Sequence, residues 1–304
     1  MDALTIHHTP ELRDPILVIA FYGWNDAAEA ATDTVRHLRR LASRQSTRFE
    51  AAAEGSIAEI DPEEFFVFTE QRPTVRITEG ETRQINWPTT DFTVARLGNG
   101  NRDLILAIGT EPHLKWKTFG SQVLALMTKC GAREIVTLGA LLADTPHTRP
   151  VPVSGGASDP TRAAELGFQA SRYEGPTGIV GTLSEACRLA GMDHISLWAS
   201  VPHYVSGGKN PKATLALLGK LTEVYDLGLD LSNLELRSKR YESQVSEALK
   251  DNPDVQDYVR NLEESNSDDD ATDSPASEAP TPFSSNDVLD EVNRLLAGDE
   301  SNPD

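Results

Sequence analysis

The stretch PILVIAFYGWNDAAEAATDTVRHLRRL, residues 15–41, joins an apolar run to a polar turn and then to a helical pattern. The run 16–21 is continuous and rich in β-branched side chains, which is typical of a strand covered on both faces. Gly23 ends the run, and beyond Asp26 apolar residues recur at helical spacing as far as Leu41. The stretch therefore predicts a buried strand, a turn and an amphipathic helix. The turn carries Gly23, Trp24, Asn25 and Asp26.

The pattern of strand, turn and helix returns along the chain. Further apolar strands are predicted at 104–108, 134–140 and 194–201, with helical patterns between them. Because parallel neighbours in a sheet need a crossover, this alternation favours an α/β domain with a mixed, largely parallel sheet.

The region before the second apolar strand is predicted to hold short strands. Two of them, at 49–53 and 65–69, are expected to be joined by a polar loop. Three more, at 74–78, 83–87 and 92–97, alternate apolar with polar residues, and we expect them to form an antiparallel meander that leads into the central sheet.

Four segments divide the chain. Residues 1–230 are predicted to form the α/β core, and residues 231–262 two helices that break near Asn252-Pro253 and pack on the core or on a neighbouring subunit. Residues 263–282 are rich in Ser, Asp, Glu, Ala and Pro without an aromatic side chain, which predicts a disordered acidic linker. Residues 283–304 are predicted to hold a short amphipathic helix, which needs a surface to lie on. That surface can belong to its own core, to a neighbouring subunit or to a protein partner, and the expected contact residues are Val288, Leu289, Val292, Leu295 and Leu296.

The formal net charge of −19 argues against nucleic acid and anionic membranes as partners, because both need a basic face. From Glu263 onward, thirteen acidic side chains against Arg294 alone give −12 of this charge, so the acidity lies mainly in the tail. Cys130 and Cys187 fit helical patterns and imply no disulfide or metal framework. Without a signal-peptide pattern or a long apolar run, the sequence predicts a soluble, cytoplasmic protein.

Polar residues follow each predicted parallel strand, where open α/β sheets usually bind ligands, and Asp144 and Tyr204 are among them. Carboxylates, histidines and an arginine at one edge can bind a small polar molecule or transfer protons. Glycines at 175, 178 and 181 precede a helix, so their amides can approach an anion. The candidate residues are Gly23, Trp24, Asn25, Asp26, Glu111, His147, Arg149, Thr177, Gly178 and His203.

Each candidate also has a structural interpretation. The Asn25-Asp26 pair can cap the first helix, and Glu111 can mark a helix start, where the dipole favours an acid. His147 and Arg149 can be solvated loop residues, and His203 can be a hydrogen-bonded structural group. The sequence contains no P-loop, no G-x-S-x-G elbow, no H-E-x-x-H and no paired cysteine motif, so neither a cofactor nor a metal ion is expected.

Several short motifs stand in order between residues 16 and 227. They are Phe21-Tyr22-Gly23-Trp24-Asn25-Asp26-Ala27, Gly109-Thr110-Glu111-Pro112, Leu138-Gly139-Ala140, Pro176-Thr177-Gly178-Ile179-Val180-Gly181, Ser196-Leu197-Trp198-Ala199 and Pro202-His203-Tyr204. Together they resemble the PAC2 family, named after a eukaryotic proteasome assembly chaperone. The resemblance is to an actinobacterial-type member, and it implies a three-layer α/β/α sandwich similar to the nucleoside phosphorylase/hydrolase class.

The resemblance also carries expectations about partners. It implies self-association, with a trimer as the preferred form. Eukaryotic relatives bind proteasome α subunits, and a C-terminal hydrophobic-Tyr-any motif is important for that docking. The final residues of this chain, Asn302-Pro303-Asp304, do not match the motif.

Two hypotheses for the function follow. The first is a non-enzymatic, oligomeric assembly chaperone or adaptor whose tail helix makes a reversible contact. The alternative is an enzyme or sensor that binds a nucleoside- or phosphate-like molecule at the strand ends. Under the alternative, Asp26, Glu111 and His203 are expected to share one pocket.

Overall fold

The structure is a computed structural model, and it describes residues 3–45, 55–77, 83–97, 102–169, 174–205 and 207–265. The predicted strand at 49–53 and the predicted tail helix lie outside these ranges. The strands are β1 (Leu4–Ile6), β2 (Ile16–Tyr22), β3 (Ala58–Ile60), β4 (Thr74–Arg76), β5 (Gln84–Asn86), β6 (Thr90–Arg96), β7 (Asp103–Thr110), β8 (Glu134–Ala143), β9 (Val153–Ala157) and β10 (Asp193–Pro202). The helices are α1 (Ala30–Gln45), α2 (Trp116–Lys129), α3 (Pro160–Glu165), α4 (Ile179–Ala190), α5 (Pro211–Tyr225), α6 (Ser232–Leu249) and α7 (Pro253–Ser265).

The central sheet has eight strands in the order β1-β3-β6-β7-β2-β8-β10-β9. Strands β7, β2, β8 and β10 run parallel in its middle, and the outer pairs are antiparallel. The predicted mixed sheet is confirmed, with its parallel strands at the centre. β2 pairs with β7 on one side and with β8 on the other, so the stretch 15–41 begins in the middle of the sheet.

β2 is apolar without interruption because both of its faces are covered. Ile16 and Val18 enter one core with side chains of α1 and α5, whereas Leu17 and Ile19 enter a second core with side chains of α2 and α4. Full burial of such a side chain stabilises the fold by about 1.5–3 kcal/mol. Helices on both faces of the sheet make the three-layer α/β/α sandwich that the resemblance implied.

Residues 65–69 do not form the predicted strand. The backbone carbonyl of Phe65 accepts hydrogen bonds from the amides of His113 and Leu114, so the segment pairs with a loop instead of a strand. Its apolar character serves packing, because the Phe65 ring lies edge to face against Phe119, with ring centroids 5.5 Å apart.

β4 and β5 pair with each other in a separate two-stranded sheet. Every residue of both strands is exposed. We call residues 72–77 and 83–87 the β4–β5 arm. The Trp87 ring of the arm contacts the Phe68 ring edge to face, with centroids 4.9 Å apart. Of the predicted meander, β6 joins the central sheet, whereas the arm stands apart from it.

The C-terminal helices pack over one end of the sheet. α6 and α7 contribute to a third apolar cluster together with residues that follow β10, including Tyr204 and Val205. The helices break between Leu249 and Pro253, as predicted, and α7 continues to Ser265, into the segment predicted as linker. None of the helices in the described ranges has the length and apolar character to cross a membrane.

Candidate functional site

The structure divides the predicted strand-end residues between two places. The first, which we call the Gly23 crevice, consists of Gly23, Trp24, Asn25, Glu111 and Gly178. The second, which we call the His147 cluster, consists of Asp144, His147, His203, Tyr204, Ser246 and Tyr258. Asp26 belongs to a capping network beside the crevice, and Arg149 is exposed in the loop after β8.

Backbone geometry and close contacts shape the Gly23 crevice. Gly23 has a φ of +139°, which disfavours any residue with a side chain. A Cβ atom at Gly178 would lie 2.7 Å from Glu111 Oε1 and 3.0 Å from Trp24 Cζ2. Glycine at 178 therefore allows the carboxylate and the indole to approach the start of α4.

Glu111 acts as a cap for a helix that follows it much later in the chain. Its Oε1 atom accepts a hydrogen bond of 2.9 Å from the amide of Ile179, the first residue of α4. A carboxylate at this position is stabilised by the helix dipole. The chain's own anion thus occupies the helix start at which the sequence predicted an anion site. Thr177 directly precedes Gly178, and its Oγ1 atom is 2.0 Å from the position that a Cβ atom would take on Gly181.

Asn25 is the most unusual residue of the crevice. Its side chain is only 1% exposed, yet neither Oδ1 nor Nδ2 has a hydrogen-bond partner in the described part of the chain. The backbone carbonyl of Asn25 accepts a bond of 2.9 Å from the Ala140 amide, which fixes the turn against β8. A buried polar group without a partner costs about 1–3 kcal/mol. Asn25 is not a helix cap, and its amide has no structural role among the described residues.

Asp26 is the cap of α1. Its Oδ1 accepts hydrogen bonds from the amides of Ala31 (2.8 Å) and Thr32 (3.2 Å), and its Oδ2 from the Thr32 hydroxyl (2.6 Å). Burial raises the pKa of this carboxyl, against the hydrogen bonds that lower it. Ala28 and Glu29, just before α1, have positive φ angles of 51° and 52°, and Asp26 bonds the chain on the far side of this strained segment. The capping interpretation of Asp26 thus accounts for all the side-chain hydrogen bonds that the structure gives it.

Replacing Asp26 by alanine is expected to lower the free energy of unfolding by about 2 kcal/mol, because a cap and a buried hydroxyl bond are lost together. Asp26→Asn retains one acceptor oxygen and should cost about half as much. Urea unfolding at pH 7 measures both changes. Midpoints equal to that of the unmodified protein would contradict the role as a cap.

His147 is held from three sides. Its Nδ1 atom lies 3.0 Å from the Tyr204 hydroxyl and its Nε2 atom 3.0 Å from the Ser246 hydroxyl. The backbone amide of His147 donates a bond of 2.8 Å to the same Tyr204 oxygen. Burial is the largest cause that lowers the pKa of His147 to about 4, so the ring is neutral at physiological pH. With both ring nitrogens engaged, His147 ties the loop after β8 to α6.

His203 and Asp144 complete the His147 cluster. His203 Nδ1 lies 3.2 Å from Asp144 Oδ1 without the geometry of a hydrogen bond, and the Tyr258 hydroxyl donates a bond of 2.8 Å to the same oxygen. The His203 ring meets the rings of Tyr204 and Tyr258 edge to face, at 5.7 Å and 5.4 Å. These contacts fasten α7 to the end of the sheet. His203 therefore has partners other than those of Asp26 and Glu111.

A cavity of about 210 Å³ lies between α6, α7 and the loop after β8. Its lining residues are His147, Thr148, Ser246, Leu249, Gln256, Val259, Arg260 and Glu263. The Thr148 hydroxyl is bonded to Glu263 and His147 to Ser246, so these polar groups of the wall are already paired. Among the residues that the structure describes, no three His, Cys, Asp or Glu side chains are placed to hold a metal ion.

Two residues of the His147 cluster were not predicted from the sequence. Ser246 and Tyr258 stand on helices whose sequence pattern indicated only an apolar packing face. No local signal distinguishes a serine that binds a histidine 99 residues away from a solvated serine.

Comparison with known proteins identifies relatives of the chain. The profile of the PAC2 family matches residues 20–249. A PAC2 family protein from Streptomyces avermitilis has a similar structure, with 44% identity, a TM-score of 0.73 and coverage of 81% of this chain and 100% of that one. A proteasome-assembly chaperone homologue from Mycobacterium tuberculosis shows 41% identity and a TM-score of 0.71, over 80% of this chain and 99% of that one.

A protein of unknown function from Corynebacterium glutamicum is also similar, with 26% identity, a TM-score of 0.75 and coverage of 88% of this chain and 97% of that one. No curated protein sequence matches the chain. The matched region begins inside β2, contains the Gly23 crevice and α6, and ends before α7.

Proposed function

This chain belongs to the PAC2 family, and on that premise we propose that it is a non-enzymatic assembly chaperone or adaptor that binds proteasome subunits. The M. tuberculosis relative, at 41% identity, is a proteasome-assembly chaperone homologue, which supports the choice of partner. A chaperone of this kind needs an accessible apolar surface on a stable body.

The β4–β5 arm is the observation that carries the proposal. Val75, Ile77, Ile85 and Trp87 are 45–76% exposed. Four large apolar side chains on one short hairpin make a patch of the kind that marks protein contacts. A two-stranded hairpin is marginally stable by itself, so a partner strand or surface would also stabilise it. We assign the binding of the partner subunit to this arm.

We further propose that the protein is a homo-oligomer, with a trimer as the expected form, and that it acts in the cytoplasm. Its two buried free thiols, Cys130 and Cys187, suit a reducing compartment. The tail with Val288 to Leu296 would supply a second, reversible contact with the partner. Light scattering of the purified full chain measures the subunit number directly.

The experiment compares binding of the full chain and of an Ile77→Ser/Ile85→Ser variant to purified proteasome α and β subunits from the source organism. We expect the unmodified chain to bind one of the subunits and to speed assembly on native gels. Loss of two exposed anchors should weaken binding at least about tenfold, because such anchors carry most of the energy of an interface.

The matched control is Leu189→Ser/Leu236→Ser. These leucines are 72% and 66% exposed, on α4 and α6, so the variant removes the same kind of surface away from the arm. It should bind like the unmodified chain. If the unmodified chain neither binds a subunit nor changes the assembly rate, the proposed function is wrong. If both variants bind equally well, the arm is not the binding surface.

A further inference from the structure

The Gly23 crevice lies where an α/β sheet is open to a ligand. β2 stands between β7 and β8, and the helices that follow β2 and β7, α1 and α2, pack on opposite faces of the sheet. The connections that follow the neighbouring strands β2 and β7 thus leave on opposite faces of the sheet, which opens a crevice at the carboxyl ends of these strands. Gly23, Trp24 and Asn25 are the first residues beyond that end.

Hydrogen-bonding atoms face one point in this crevice. The position that a Cβ atom would take on Gly23 is 3.5 Å from Asn25 Oδ1 and 3.8 Å from Glu111 Oε2. Gly23 itself is exposed, whereas the Asn25 amide next to it is buried. Glu111 caps α4 through Oε1, which leaves Oε2 directed at the point above Gly23. The Asn25 amide, buried and unpartnered among the described residues, adds Nδ2 as a donor.

This set of atoms selects the chemistry of the ligand. Asn25 Oδ1 and Glu111 Oε2 accept hydrogen bonds, whereas Asn25 Nδ2 donates one. A pair of neighbouring hydroxyl groups can donate to both oxygens and accept from the amide. An ammonium group has no acceptor for Nδ2, and a phosphate or carboxylate would meet the negative charge of Glu111. A neutral diol is the group that satisfies all of these atoms.

Trp24 adds an aromatic wall. Its side chain is 68% exposed, and one edge of the indole lies against the start of α4, 3.0 Å from the position of a Cβ atom on Gly178. An exposed indole face beside a carboxylate and an amide offers an apolar surface for the C–H face of a sugar ring.

We propose that the Gly23 crevice binds the vicinal diol of a small sugar or of a nucleoside ribose, with Asn25 and Glu111 on the hydroxyl groups and Trp24 on the ring. This site is separate from the β4–β5 arm. It goes beyond the proposed chaperone function and does not depend on it.

The test uses the full chain and follows ligand binding by saturation-transfer NMR and by the side-chain amide signals of Asn25. The probes are adenosine, D-ribose and D-glucose, with 2′-deoxyadenosine as the compound that lacks the diol and inorganic phosphate as the anion. We expect adenosine or a free sugar to bind and to shift the Asn25 amide signals. Binding of adenosine but not of the free sugars identifies a nucleoside site, whereas binding of all three compounds identifies a general sugar site. Removing one hydroxyl should weaken adenosine binding at least about tenfold, because two polar groups lose their partner.

Variants locate the site. Glu111→Gln keeps an oxygen for the Ile179 amide but places an NH₂ group where an acceptor is needed, so it should weaken binding at least about tenfold while the protein stays folded. Trp24→Ala should weaken it as well. Trp87→Ala removes a comparably exposed tryptophan from the arm and should leave diol binding unchanged.

Several outcomes would overturn the diol site. The first is that none of the three diols binds and the Asn25 amide contacts only water. The second is that adenosine and 2′-deoxyadenosine bind equally well. The third is that Glu111→Gln binds the diol as tightly as the unmodified chain does. Failure of the diol site and failure of the chaperone function can be told apart, because subunit binding is measured on variants of the β4–β5 arm and diol binding on variants of the Gly23 crevice.

Discussion

Lowering the pH from 7 to 4 is expected to destabilise the protein by about 6 kcal/mol through two buried histidines, His147 and His194. Burial lowers the pKa of each to about 4 from an ordinary value of 6.5. The unfolded chain therefore takes up these protons at a higher pH than the folded protein does. Stability is complete above pH 6.5 and falls as the pH decreases toward 4, by about 3 kcal/mol for each ring, since one pKa unit is worth about 1.4 kcal/mol.

The two rings can be separated experimentally. His194 is 4% exposed at the start of β10, and its Nε2 atom lies 3.0 Å from the Thr137 hydroxyl on β8. Urea unfolding between pH 7 and pH 4 is compared for the unmodified protein, His194→Gln and His147→Gln. Each variant should lose stability at pH 7, and the part of the pH dependence that its histidine supplied should disappear. His8→Gln changes an exposed histidine and should keep the full pH dependence. Parallel pH profiles for all four proteins would contradict the assignment.

Gly139→Ala is expected to lower the free energy of unfolding by about 3 kcal/mol. Gly139 on β8 stands directly opposite Trp198 on β10, and an added Cβ atom would lie 2.4 Å from Trp198 Cε3. The indole packs against the core formed with α2 and α4, so it cannot swing away freely. An extra carbon in a filled core forces side chains out of their rotamers, at a cost of about 1–3 kcal/mol or more.

Two further variants make this result specific. Gly219 lies inside α5 with no atom within 4 Å of its Cβ position, so Gly219→Ala should stabilise the protein by about 0.5–1 kcal/mol. In a Trp198→Ala background, Gly139→Ala should cost little, because the clashing ring is gone. A cost that persists without the indole would mean that the backbone, and not Trp198, requires glycine at 139.

The fold could be predicted from the sequence where one segment alone carries the signal. The unbroken apolar run of β2 indicated burial on both faces, and alternate residues indeed enter two different cores. Phe65 shows where prediction from a single segment fails. Its apolar neighbours predicted a strand, whereas its backbone carbonyl accepts hydrogen bonds from a loop. An apolar pattern indicates that a segment is buried. The partner of its backbone hydrogen bonds, however, depends on residues distant in the chain.

The candidate site shows the same limit. Asn25 and Asp26 are neighbours with the same predicted role, yet only Asp26 caps α1, whereas the Asn25 amide faces the crevice. The capping role of Glu111 depends on Ile179, which lies 68 positions later. Gly139 and Trp198 stood in separate motifs, and their opposition in the sheet became visible only in the strand pairing. Motifs identified the residues, whereas their pairing required the tertiary structure.

The hydrogen bond between His147 and Ser246 has a consequence for the order in which the protein folds during synthesis on the ribosome. The two residues are 99 positions apart, and chains grow at about 5–20 residues per second, so Ser246 emerges roughly 5–20 s after His147. During that interval Tyr204 and Val205 have been synthesised, whereas the helices that will cover them have not. The nascent chain therefore exposes an apolar surface at Tyr204 and Val205 until α6 and α7 are synthesised. A messenger RNA truncated before α6 would give a product in which this surface stays exposed and accessible to quality-control proteases.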